Sequence, residues 1–84
     1  MWTEESEAHI ARHGITPSEV EQVLYGRPRL TSPGRDGTTL VLGTGDDGRH
    51  LLVLVAEAAD GRDYVVTARK MTTAEKRLFR EKGR

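Results

Sequence analysis

The residues with the most to offer chemically are crowded into the last quarter of the sequence. Thr67-Ala68-Arg69-Lys70-Met71-Thr72 sets two cations between an apolar run and a threonine able to cap a helix, and Lys76, Arg77 and Arg80 follow. A guanidinium presents planar donors that match a phosphate, and a helix start adds free backbone N–H groups. This pattern predicts an anion-binding surface with Arg69 as phosphate clamp. On spacing alone a second reading stands level with it, in which Arg69 pairs with a core-edge carboxylate such as Glu19 or Glu21. The histidines are less suggestive. His9 and His13 are four apart and would share one face of a helix, but no acid completes a metal-binding pattern, so no metal site is expected. His13 reads as a helix-end residue interacting with the dipole, and His50, near Asp46-Asp47, as a solvated strand end.

The charge is unevenly spread. Formal net charge is zero, yet residues 1–36 sum to −2, residues 37–63 to −3 and residues 64–84 to +5. Local sign sets the field that a phosphate backbone or an acidic partner meets, so the basic end is a candidate anion-binding face; a solvated helix face is the plainer alternative. Cysteine is absent, which excludes disulfides, thiolate metal sites and cysteine nucleophiles. At 84 residues, one small domain over residues 1–84 with a modest core is expected. Leu51 to Ala56, the longest nearly apolar run, is far too short to span a bilayer, and the opening residues lack the basic n-region and apolar h-region expected of a signal peptide. These features predict a soluble cytoplasmic protein without membrane contact or cofactor.

Punctuation in the sequence shows how such residues would be positioned. Thr3 followed by Glu4, Glu5 and Glu7 marks a helix start, and Gly14 ends that helix after about Arg12, with Ala8, Ala11 and Ile10 as a thin apolar side. Thr16-Pro17-Ser18-Glu19 is a capping box opening a second helix that carries Val20, Val23 and Leu24 on one stripe and stops at Gly26. Gly and Pro then divide short apolar runs, giving strands at Arg29–Ser32, Thr38–Leu42, Leu51–Ala56 and Tyr64–Ala68. Gly43 to Gly48 reads as a hairpin loop and Asp60-Gly61 as a turn. Thr72 or Thr73 caps a last helix, with Glu75 able to close a capping box and Leu78 and Phe79 as its apolar contacts. The order predicts an α+β fold: two N-terminal helices, a small twisted antiparallel sheet of three to four strands, and one C-terminal helix.

Arg12-His13-Gly14-Ile15, the Pro17-to-Gly26 helix, the strand ending at Gly43, Leu51-Leu52-Val53-Leu54-Val55, and Thr67 to Thr72 leading into Glu75-Lys76-Arg77 together resemble the BrnT family of type II toxins. The likeness runs along nearly the whole chain. It implies a RelE-like fold and a metal-independent ribonuclease that blocks translation and is held inactive by a cognate antitoxin. Such an enzyme cleaves by attack of a ribose 2′-OH on the adjacent phosphate, which needs a proton acceptor, cations for the developing charge and an acid for the leaving oxygen. The resemblance makes Arg69 the phosphate clamp, with Arg12, His13 and Arg77 as further catalytic candidates and Lys70, Lys76 and Arg80 as RNA-binding residues. Gly37-Thr38-Thr39 stands where the family carries an acidic-x-Arg or Glu-Arg element, and Ala56-Glu57 where it often carries a histidine. The alternative is therefore a catalytically impaired RelE-like module that binds protein or RNA. In either case a partner is expected across the sheet edge and last helix, masking Arg69, Arg77 and Arg80.

Overall fold

A computed structural model describes residues 2–57 and 59–83. In chain order the elements are α1 (Glu4–Arg12), α2 (Pro17–Tyr25), β1 (Arg29–Pro33), β2 (Thr38–Thr44), β3 (His50–Glu57), β4 (Asp63–Lys70) and α3 (Thr73–Lys82). The α+β arrangement with two helices before the sheet and one after it is as expected. All three helices begin with a capping box. Thr3 and Ser6, Thr16 and Glu19, and Thr72 and Glu75 exchange backbone and side-chain hydrogen bonds, satisfying N–H groups that a helix start leaves open.

The four strands form one antiparallel sheet in the order β1-β2-β3-β4. Alternation along the strands divides the core in two. On one face Val41, Leu51, Val53, Val65 and Ala68 pack against Ile10, Ile15, Val20 and Val23 of α1, α2 and their connection. On the other, Leu42 and Leu52 meet Met71 and Phe79, so α3 covers the opposite side. Burying each large side chain fully is worth about 1.5–3 kcal/mol relative to exposure, which makes the first face the main source of stability.

Several local expectations are corrected. The buried residues of α1 are Ser6 and Ile10, whereas Ala8 and Ala11 are exposed; the serine hydroxyl is turned inward by the capping box it closes with Thr3. In α3 Phe79 carries the packing and Leu78 is 40% exposed, because consecutive helical positions face different directions. β2 continues through Gly43 and Thr44 where a loop was expected. Gly43 is buried in the strand under α2: a Cβ there would lie 3.1 Å from a Val23 methyl, so the missing side chain lets helix and sheet approach. At Gly14 the chain turns with φ +70°, a conformation that glycine adopts freely, and His13 is the C-cap of α1.

Candidate functional site

The end of the sheet formed by the β2–β3 hairpin and the β4–α3 junction brings together Arg49, His50, Arg69, Lys70 and Lys76. Alternation separates the neighbours Arg69 and Lys70: Arg69 is in register with Leu52 on the α3 face, and Lys70 with Leu51 on the α1/α2 face. β4 stops immediately after them, and the Met71 N–H donates to the His50 carbonyl at 3.0 Å, which stitches the junction to the start of β3. Beside this stitch lies a shallow cleft of about 460 Å³ lined by Gly48, Arg49, His50, Lys70, Met71 and Lys76. Lys70 and Lys76 are exposed, at the end of β4 and in the first turn of α3. His50 is half-buried, its ring edge-on to Phe79 with centroids 5.9 Å apart.

Arg69, near the end of β4, is engaged by the helix that follows it. Its Nη1 and Nη2 donate to Glu75 Oε1 and Oε2 at 2.7 and 2.8 Å, a parallel two-pronged pair, and Nη1 also reaches the Lys70 carbonyl at 3.1 Å. Glu75 Oε1 receives the Thr72 N–H at 2.8 Å as well, so one carboxylate both caps α3 and holds the guanidinium. The hydrogen bonds from Arg69 lead the forces that hold the Glu75 carboxyl down, from the ordinary 4.5 to about 2; the Thr72 backbone N–H adds to this and partial burial opposes it. The same pairing raises the Arg69 pKa further above its ordinary value, against desolvation. The carboxylate that meets Arg69 is thus Glu75, in place of Glu19 or Glu21.

Glu19 instead meets Arg49. Arg49 Nη1 lies 3.2 and 3.0 Å from the two Glu19 oxygens and donates to the Gly14 carbonyl at 3.0 Å. One side chain of the hairpin thereby fastens the α1–α2 turn and the start of α2. Arg49 and His50 are the cleft residues that sequence reasoning missed. The available signal was modest: both sit at the foot of the apolar run Leu51–Ala56, where a strand end delivers polar side chains to the rim of a sheet.

The remaining candidates divide between the faces. Arg77 and Arg80 are exposed on α3, three apart and hence adjacent on its surface. Arg12 and His13, also exposed, belong to the end of α1 on the opposite face. Their turn reaches the same end of the sheet through the Arg49 bond to Gly14. The arrangement can hold an extended anion along Lys70, Lys76 and the α3 surface. No helix among the described residues is long and apolar enough to cross a membrane. No family model, curated protein or solved structure gives a match to this chain.

Proposed function

We propose that the chain is the toxin component of a toxin–antitoxin pair, a metal-independent ribonuclease that inhibits translation, with the cleft beside the start of α3 as the seat of the RNA backbone. The observation that carries this reading is the convergence of Arg49, His50, Lys70 and Lys76, from a hairpin, a strand end and a helix start, on one open cleft. Phosphate contacts from such groups give sequence-independent, salt-sensitive affinity. The reaction would proceed by attack of a ribose 2′-oxygen on its own phosphorus. The bond to the 5′-oxygen of the next nucleotide breaks, leaving a 2′,3′-cyclic phosphate and a free 5′-hydroxyl. Imidazole is the side-chain type best suited to move the proton, which gives His50 that role, and the lysines stabilise the added charge on phosphorus. On α3, Leu78 at 40% exposure among Lys76, Arg77 and Arg80 suits an antitoxin segment that is acidic with an apolar anchor.

Engagement of Arg69 by Glu75 favours a second reading, a module that binds RNA without cutting it. Inducible expression in a bacterium, with growth and translation followed, tests the first. Growth arrest that disappears in His50→Gln and in the double variant Lys70→Gln/Lys76→Gln is the expected result. Purified protein that binds RNA but leaves it intact moves the conclusion to the second reading, and failure to bind RNA at all removes both.

A further inference from the structure

We infer that Glu75 is a built-in gate on an oxyanion site: it fills the Arg69 fork in the free protein and yields it to a phosphodiester phosphate of single-stranded RNA. The inference rests on the RNA-binding reading of the adjacent cleft. The two-pronged geometry of the pair is the one with which a guanidinium also holds two phosphate oxygens, so carboxylate and phosphate compete for the same donors. The site is within reach of a ligand, with the Arg69 and Glu75 side chains 41% and 23% exposed. It borders the cleft without lining it: Arg69 Nη1 donates to the carbonyl of Lys70, and Lys70 and Lys76, the next residues after Arg69 and Glu75, are both cleft residues.

Release of Arg69 does not require α3 to unravel. Glu75 Oε1 takes the Thr72 N–H independently of the guanidinium, and the Glu75 N–H donates to Thr72 Oγ1 at 3.2 Å, so the capping box persists after the fork is vacated. The exchange trades one singly charged acceptor for another. A free phosphate monoanion therefore gains little by it, whereas a polyanion already held by Lys70 and Lys76 delivers its next phosphate at high effective concentration. The gate selects a chain of phosphates over an isolated one.

The test compares the wild type with Glu75→Gln, whose amide oxygen can keep the Thr72 bond while its NH₂ cannot accept from Arg69. Two probes are used: inorganic phosphate, followed by the NMR signal of the Arg69 Nε–H, and an oligouridylate, followed by anisotropy at several salt concentrations. The wild-type Arg69 signal should move with oligouridylate and stay still with phosphate. In Glu75→Gln it should move with both, with oligouridylate bound roughly five- to tenfold more tightly and a salt slope steeper by about 0.7, the value for one more phosphate on a single strand. Adding Arg69→Gln should abolish the gain. Equal affinities and slopes in wild type and Glu75→Gln overturn the gate while leaving the RNA reading in place, as does a gain that survives loss of Arg69. If neither protein binds oligouridylate but Glu75→Gln alone takes phosphate at Arg69, the RNA reading fails and the carboxylate gate stands for anions in general. Glu75→Ala serves as a second variant, and if neither variant folds the carboxylate is structural and the gate is overturned.

Discussion

The second and third helices each begin with a Thr-x-x-Glu capping box, and in each the glutamate holds an arginine from outside the helix, yet the two pairs tie together different parts of the molecule. Glu19 and Arg49 are thirty positions apart in the chain, and one guanidinium nitrogen serves both carboxylate oxygens and the Gly14 carbonyl. Glu75 and Arg69 are six apart, joined by two parallel bonds across a strand-to-helix junction. The side chains of the first pair are 31% and 13% exposed for Arg and Glu, those of the second 41% and 23%. Three segments meet at the first pair; the second links neighbours that the chain already keeps close. Opening the first therefore loosens tertiary structure, whereas opening the second frees a guanidinium at little cost to the fold.

Arg49→Ala provides the strongest test of this contrast. It leaves the Gly14 carbonyl and Glu19 without a charged donor, and a loss of about 1.5–3 kcal/mol is expected, lowering the melting temperature by roughly 10 °C or more. A wild-type melting curve for this variant would erase the distinction between the pairs. Next in size is Lys70→Gln/Lys76→Gln, beside the second pair: affinity for oligouridylate should fall about tenfold and the salt slope flatten by about 1.4, with stability unchanged within about 0.5 kcal/mol. Retained affinity in anisotropy titrations would refute the cleft as the proposed RNA seat.

Arg69→Ala should cost less than about 1 kcal/mol, because partly exposed ion pairs are screened by solvent. It should also change RNA affinity less than Lys70→Gln/Lys76→Gln does, since Glu75 holds its fork in the free protein. A destabilisation equal to that of Arg49→Ala would show that the two pairs do the same job. The smallest effect is on pH dependence. Glu75 has a folded pKa lowered from 4.5 to about 2, so its contribution is fully present above about pH 4.5 and is lost as pH falls toward 2. After solvent screening this amounts to about 1 kcal/mol or less. Urea melts from pH 5 to pH 2 should show Glu75→Gln losing less stability than wild type over that window, and parallel curves would refute the assignment.

Local signals in the sequence were reliable where one turn of chain holds the whole interaction. Thr16-Pro17-Ser18-Glu19 and Thr72-Thr73-Ala74-Glu75 are complete within four residues, and both helices begin where those patterns place them. Gly43 misled because glycine marks both turns and close approaches; only the position of Val23 above it distinguishes the two. Leu78 and Phe79 are equally apolar in the sequence, and the orientation of α3 against Leu42 and Leu52 decides which is buried. The cleft was legible in part. Lys70 and Lys76 stood out by charge, but His50 joins them through the Met71–His50 backbone bond, and Arg49 finds Glu19 across the fold, neither of which leaves a trace in sequence spacing.

The order of the sheet has a consequence for how fast the protein assembles. Each strand pairs with its neighbour in sequence, through the connections between Pro33 and Thr38, Thr44 and His50, and Glu57 and Asp63. Short closures of this kind cost little chain entropy before contacts reward them, which places the sheet among the quicker β structures to form. The long reach is that of α1, whose Ile10 must come back to β4 from the far end of the chain. If that docking follows the rate-limiting step, weakening it with Ile10→Val will speed unfolding and leave the refolding rate almost unchanged.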